Sequence, residues 1–498
     1  MIKKLIIENF RSIEFIEVNL SSLNAFIGPN NAGKSNIMKA LNLILGEFYP
    51  TVRSCDNKDF HNYQEGVPIK IEVRFDLPIA WSTGNFACDI HGFQLIFNGR
   101  DCEYFAIDDS GEIILYPNKR EVRVSTEMRE RVALMYLGLD RQAAQQVKPT
   151  QWTLYGKLLR HIEKQIKDEN RLNFKEGIKN TYTSNIYPNL LEMENILKNH
   201  VKSQTGLDLL LHLSIIDPIE TIKNVRPYFK DESSLLEFDA EDMGAGTQSA
   251  LAVAIARAYS EIVKHPPVIA IEEPELYMHP HGCRHFFKLL KELSANGVQV
   301  IYTTHERSFV DISNFKSIHL VRKEEGQTQV YSGIDKTISS DEEIKLASKF
   351  DDNINEVLFA NAVILVEGFN DRIGCKLALE SLGFELDKHS ISVTDCGSNS
   401  AIKPVSELLD QFNIPTCALI DEDPSDPNTA KIIQDLRTIL DNENVLLQSP
   451  DLEGMFGLSK KLDKAEALKF FPTWFSQNSP PQVYTRLKNR IDEILQSI

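Results

Sequence analysis

The chain has 498 residues, too many for a single core, and its length points to about three domains. Its 42% hydrophobic and 25% charged content is that of an ordinary globular protein, and no apolar run reaches the ~18 residues that span a bilayer. The net charge of −17 repels nucleic acid on average and by itself favours a small-molecule or protein-binding enzyme. Carboxylates gathered at metal sites would inflate that count, however, and a local basic face can still hold phosphate.

The N-terminal Met1–Phe10 stretch breaks at Glu8 and Arg11, so it reads as a first strand and not as a signal peptide. Seven cysteines, none in a CxxC pair, read as reduced thiols of a cytoplasmic protein. Lys3–Ile7 and Ile13–Val18 are apolar-rich strands, with Asn9-Phe10-Arg11-Ser12 between them. Arg11 is placed either to meet a nucleotide or to sit at a solvated turn.

Leu23–Ile27 is a further apolar run, and the helical pattern of Ile37–Leu45 follows it. Between them lies Gly28-Pro-Asn30-Asn31-Ala-Gly33-Lys34-Ser35, with the spacing GxxxxGK[ST]. Backbone N–H groups and a helix N-terminus there surround one anionic pocket. Lys34 can reach the β- and γ-phosphates of ATP, and Ser35 can ligate Mg²⁺. Gly28 and Gly33 allow the backbone to approach where a Cβ would collide.

Residues 67–77 alternate at period two, and Phe93–Phe97 and Glu112–Tyr116 are strand-like, which predicts an antiparallel sheet beside the nucleotide site. From Thr126 to Ile215 helical periodicity takes over, as in Leu158–Ile166 and Leu190–Leu197. This predicts an all-helical insertion whose apolar stripes suit packing between subunits of a homodimer or higher homo-oligomer.

Asp242–Ser249 opens an alanine-rich helix over 249–263. Its Gly244, Gly246, Gln248 and Ser249 at a helix start form a second anion site, used most simply in trans over ATP held by a partner subunit. Val268–Ile271 then leads into Glu272-Glu273-Pro-Glu275, the Walker B pattern: Glu272 holds Mg²⁺ and Glu273 orients or deprotonates the attacking water. Val298–Thr304 is the next buried strand and ends at His305, placed to sense the γ-phosphate.

These motifs together resemble the ABC-type ATPases of the SMC/RecF group over about residues 1–335. Glu272 stands where many relatives carry Asp, and Gly-Ala-Gly-Thr-Gln-Ser replaces Leu-Ser-Gly-Gly-Gln. Both departures bear on hydrolysis more than on nucleotide binding.

After a polar linker, Ala362–Val366 ends in Glu367-Gly368, and Asp371 follows on a helix. Ile391–Val393 leads to Asp395, and Thr416–Ile420 to Asp421-Glu422-Asp423. Asn444–Leu447 precedes Asp451-Leu-Glu453. Acids at the ends of adjacent parallel strands converge on one sheet edge, so Glu367, Asp421 and Asp423 would form a hard oxygen site for Mg²⁺ or Mn²⁺.

The strand-ending Glu-Gly and the Asp-x-Asp resemble the TOPRIM domain, and its fusion to an SMC-like ATPase resembles the OLD family of nucleases. That family includes the nuclease subunit of Gabija defence and the effector nucleases of some retrons. The resemblance implies an α/β fold: an ABC-type ATPase with a helical dimerisation insertion, followed by a Rossmann-like TOPRIM domain. The expected divisions are 1–125 and 216–335 for the ATPase, 126–215 for the insertion, 336–360 for the linker and 361–498 for TOPRIM.

The resemblance also implies metal ligation by Glu367, Asp371, Asp421, Asp423 and Glu453, and a catalytic lysine, Lys464 before its neighbours Lys460 and Lys461. Two divalent ions about 4 Å apart would drive phosphodiester hydrolysis, with the lysine neutralising charge on the phosphate. Arg372, Lys376 and Lys403 flank the acids as a candidate DNA-facing surface. The implied protein is a cytoplasmic, ATP-regulated DNA endonuclease of anti-phage defence, with no membrane role. Its operon partner would be a helicase or a reverse transcriptase with its small DNA. The alternatives are an RNA nuclease, for instance one that cuts tRNA, and a DNA-repair ATPase with an inert TOPRIM domain.

Overall fold

The computed structural model describes residues 1–64, 66–138, 148–150, 153–205, 210, 221–222, 224–230, 236–263, 267–276, 278–335, 354–423 and 427–497. The chain divides into two compact units, Met1–Glu130 with Ala270–Ile498, and Arg131–Ile269.

The first unit opens on β1 (Ile2–Phe10), β2 (Ile13–Asn19) and the fully buried β3 (Leu23–Ile27), which runs into a helix over Lys34–Leu45. Three further strands, β4 (Ile69–Thr83), β5 (Phe86–Phe97) and β6 (Cys102–Ile107), complete an antiparallel sheet of order β2-β1-β4-β5-β6. The strand expected at Glu112–Tyr116 is reduced to isolated bridges at Ile113 and Leu115. There the chain is curled by a turn in which Asp108 accepts from the N–H groups of Ser110 and Glu112.

A second sheet holds the nucleotide loop. Its strands are β7 (Val268–Glu272), β8 (Gln299–Thr304), β9 (Ile318–Glu324) and β10 (Gln327–Ser332), and within this unit the order is β10-β9-β3-β8-β7. Both β8 and β9 run parallel to β3. Such a strand is covered on both faces, which is why β3, β7 and β8 are buried at every residue.

The C-terminal part is a four-stranded parallel sheet, with β11 (Ala362–Val366), β12 (Ile391–Asp395), β13 (Thr416–Asp421) and β14 (Val445–Gln448) in the order β12-β11-β13-β14. Crossovers between parallel strands are right-handed as a rule, which in this strand order places helices on both faces. Helix Phe369–Ser381 packs with Lys464–Gln477 and Gln482–Ser497, while Asn399–Gln411 packs with Pro427–Ile439. The first group closes over Ile364, Val366, Leu419 and Leu446. Of the expected linker, 336–353 lie outside the described residues, and Ile354–Phe359 forms a 3₁₀ turn.

In the second unit, helices Leu154–Lys164, Asp168–Asn185, Leu191–Thr205 and Ala245–Val263 follow the predicted periodicity. The insertion is not all-helical, because Leu134–Leu137 forms a strand. Four apolar residues are too few to display a helical period. Arg171, on the second of these helices, reaches back to the Glu163 carboxylate at the end of the first. Leu191, Met193, Ile196 and Leu197 are exposed on the third helix.

Candidate functional site

The nucleotide loop is shaped by two glycines. Gly28 has φ +142° and Gly33 φ +111°, conformations that favour glycine. A Cβ would lie 2.1 Å from Val321 O at the first and 2.1 Å from Thr328 Oγ1 at the second. Asn31 is also left-handed, at φ +62°, and Asn30 and Asn31 line a cavity of about 590 Å³. Ser35 lies in the first turn of the Lys34–Leu45 helix.

Lys34 is 5% exposed, and its Nζ donates to Gly28 O and Pro29 O, both at 2.8 Å. Burial pushes it down to about 8, against the opposing charges of Glu273 and Glu275. Glu273 has φ +44°, and its N–H donates to Thr303 O at 3.0 Å. His305 Nε2 lies 3.2 Å from Glu273 Oε1. Burial and then the Lys34 charge hold His305 below its ordinary value.

Glu275 accepts from Thr304 Oγ1 and from the His305 N–H at 2.8 Å each, and burial raises its carboxyl. Thus Lys34, Glu273, Glu275 and His305 are electrostatically linked, while Glu272 is buried at the end of β7. Arg11 lies at a left-handed turn with its Nε 2.8 Å from Asp59 Oδ1.

In the second unit, Gly244 precedes the Ala245–Val263 helix, whose first residues include Gly246, Gln248 and Ser249. Gln248 Nε2 donates to Glu241 O and Met243 O, both at 2.9 Å, and Ser249 is buried. These bonds tie the signature loop to its own helix start.

At the C-terminal sheet edge, Glu367 follows β11, Asp421 ends β13 and Asp371 lies one helical turn beyond Glu367. The Asp421 N–H lies 3.3 Å from Glu367 Oε1, and the Leu452 N–H donates to Asp421 Oδ1 at 2.9 Å. Asp371 is 7% exposed. Glu367, Asp371 and Asp421 are each pushed up to about 7. Burial is the main cause in each. The charge of Asp421 comes next for Glu367, that of Glu367 for Asp371, and that of Asp371 for Asp421.

Glu453 adds repulsion at Asp371 and Asp421 from the short Leu452–Met455 helix. That helix is anchored by Phe456, whose ring lies 4.8 Å from Trp474 and 5.1 Å from Phe471, edge to face. Asp423 has φ +28°, and its N–H donates to Pro450 O at 2.9 Å.

Among the three lysines, Lys464 Nζ stands 5.3 Å above the ring of Phe369, which lies between Glu367 and Asp371 in sequence. Lys460 pairs with Glu466 at 3.0 Å. The charge that lowers both Glu367 and Asp371 is that of Lys461. The basic flank is also partly neutralised, because Arg372 pairs with Asp395 at 3.2 Å and Lys403 with Asp435 at 3.4 Å. Lys376, Arg372 and Lys464 line a cavity of about 1000 Å³ beside these acids.

Sequence reading also missed Asn399, whose side chain acts to lower the Glu367 carboxyl, and Gln448, which is fully buried beside Asp421. A polar residue closing an otherwise apolar strand, Val445-Leu-Leu-Gln448, was the only signal for the latter.

Among the described residues, no three acidic, His or Cys side chains are drawn close enough to ligate an ion as they stand. The donor set nevertheless fits a hard divalent cation: three carboxyls, one buried, two half-buried and all mutually repelling, are ionised more easily once a cation faces them. Above the ordinary carboxylate range and up to about 7 the folded chain holds protons that the unfolded chain releases. Metal-free stability therefore falls as pH rises through that window. In EDTA the melting temperature is expected to drop between about pH 6 and about pH 8, and Mg²⁺ to raise it more at the higher pH. Thermal melts at both pH values check this, and an equal effect of Mg²⁺ at each would contradict it.

The sheet order, the nucleotide loop and the acidic edge define an ATPase joined to a TOPRIM domain. A family model described as "AAA ATPase domain" matches residues 1–128 and 112–310. One described as "Overcoming lysogenization defect protein-like, TOPRIM domain" matches residues 358–423. The chain is 31% identical over 441 residues to the OLD nuclease of Thermus scotoductus, covering 85% of this chain and 82% of that one. It is 25% identical over 449 residues to the Old nuclease of Escherichia phage P2, covering 84% and 76%. It is 25% identical over 222 residues to endonuclease GajA of Bacillus cereus, covering 40% and 30%. The chain belongs to the OLD nuclease family, and it is a nuclease that carries an ATPase domain.

Proposed function

We propose that the protein is an ATP-regulated, Mg²⁺- or Mn²⁺-dependent DNA endonuclease of anti-phage defence. The observation that carries the metal dependence is the cluster of buried Asp371 with half-buried Glu367 and Asp421, carboxyls each raised to about 7 at one sheet edge. Such groups would hold the ion together with Glu453 and Asp423. A divalent ion there supplies Lewis-acid stabilisation of charge developing on the phosphodiester. The Leu452 N–H orients Asp421.

Lys461 is the residue we assign to the scissile phosphate. Lys461→Ala is expected to lower kcat by about 10²-fold, and Lys464→Ala by much less. Steady-state cleavage by both variants checks this, and a larger loss in Lys464→Ala would favour Lys464, the lysine expected from the sequence.

In the ATPase part, phosphate would displace the Gly28 and Pro29 carbonyls as partners of Lys34. Ser35 and Glu272 would hold Mg²⁺, and Glu273 with His305 would face the γ-phosphate. Gly244, Gly246, Gln248 and Ser249 are proposed to act in trans, within a homodimer formed through the exposed Leu191, Met193, Ile196 and Leu197. The anti-phage role and an operon partner, a helicase or a reverse transcriptase, are carried by the family resemblance.

A cytoplasmic location is supported by seven free cysteines. Among the described residues no helix is long and apolar enough to cross a membrane. The substrate is tested with a panel of labelled duplex DNA, single-stranded DNA and tRNA, each with Mg²⁺ or Mn²⁺ and with or without ATP. Cleavage of DNA in preference to tRNA supports the proposal; the reverse preference overturns it.

A further inference from the structure

Two carboxylates of the TOPRIM edge, Asp371 and Asp421, share a single amide. Gln448 ends β14 opposite Asp421, to which it is paired in register. Its backbone is fixed as well, since its carbonyl accepts from the Glu422 N–H at 2.9 Å. Its side chain is 0% exposed. With Nε2 turned toward the acids, the amide donates to Asp371 Oδ1 and to Asp421 Oδ1, both at 3.0 Å. Its Oε1 then accepts from the Tyr484 hydroxyl at 3.1 Å. The reverse orientation would set a carbonyl oxygen against two carboxylates, so the neighbours decide the matter.

Tyr484 is likewise 0% exposed. It sits on the Gln482–Ser497 helix, which packs against β14 and against the helix carrying Asp371. A phenol reaches an amide, and the amide reaches two acids from different elements. Each donor in this chain has one acceptor to serve, and no water is needed to complete it.

We infer that Gln448 is a positioning residue for the metal centre, held in its working orientation by Tyr484. The inference rests on the metal-dependent nuclease reading. By occupying Oδ1 of both Asp371 and Asp421, the amide fixes the spacing of the two carboxylates and leaves the second oxygen of each to the cation. Partners of this kind hold ligands in the geometry that a metal requires, and their loss typically costs about 10–100-fold in affinity. The two carboxylates set which end of the amide faces them, and Tyr484 holds that orientation by donating its O–H to Oε1.

The test is Mn²⁺ binding to the full chain, measured by electron paramagnetic resonance without nucleic acid. Its variants are Gln448→Met, Tyr484→Phe, the two together, and Asp421→Asn as control. Gln448→Met keeps the length of the side chain and removes both donors. It is expected to weaken Mn²⁺ binding about 10-fold or more. Tyr484→Phe is expected to weaken it in the same direction by less, and to add nothing in the Gln448→Met background.

Cleavage by these variants should recover toward wild type at saturating Mn²⁺, a shift in metal requirement that a merely structural role would not give. Wild-type Mn²⁺ affinity in Gln448→Met, or full additivity of the two changes, overturns the inference. If Gln448→Met does not fold, wild-type Mn²⁺ affinity in Tyr484→Phe overturns it alone. Retained binding in Asp421→Asn would instead sink the metal-site reading itself, so the two failures are told apart.

Discussion

Asp421→Asn is expected to lower DNA cleavage by about three orders of magnitude while making the metal-free protein more heat-stable. The two effects have one cause. Asp421 is raised to about 7 by burial and by Asp371, and its own charge is the largest electrostatic perturbation on Glu367. Removing that charge relieves both neighbours. An amide carbonyl at this position still accepts from the Leu452 N–H and the Gln448 amide, so the local bonds persist. Above about pH 7 the relief is worth on the order of 1 kcal/mol, or roughly 2–4 °C in EDTA. Cleavage assays and thermal melts on one preparation check both effects. A variant that lost activity and stability together would show that Asp421 is a structural residue, not a ligand held at a cost.

Lys34→Ala is expected to weaken ATP binding by about 100-fold or more. Lys34 is the buried cation of the nucleotide loop, and Glu273 and Glu275 both act on it. Without it, the triphosphate would meet two carboxylates and no opposing charge. The fold itself should survive, because the change removes the desolvation that pushes Lys34 down to about 8. Its two carbonyl partners belong to a glycine-containing loop. Titration with a fluorescent ATP analogue measures the affinity, with circular dichroism as the control for folding. Affinity within a few-fold of wild type would remove Lys34 from the phosphate site.

Legibility followed contiguity. Gly28–Ser35, Glu272-Glu273, Glu367-Gly368 and Asp421–Asp423 are short runs whose chemistry is complete within a few residues, and they could be placed on strand ends from pattern alone. What joins distant segments could not. Gln448 and Tyr484 are 36 residues apart and meet only because a helix packs on β14. Lys461 and Lys464 differ by less than one helical turn. The Asp463 cap, which accepts from the Glu466 N–H at 2.8 Å, starts the helix at Lys464 and leaves Lys461 in the preceding loop. The pairing of Arg372 with Asp395 was equally hidden, because the two lie on different elements.

The most direct test of the central claim is cleavage of supercoiled plasmid by purified protein with Mg²⁺ or Mn²⁺, compared with Glu367→Ala and with wild type in EDTA. The account predicts nicked or linear product from wild type with metal, and none in either comparison. Cleavage that persists in Glu367→Ala, or in EDTA, would contradict it.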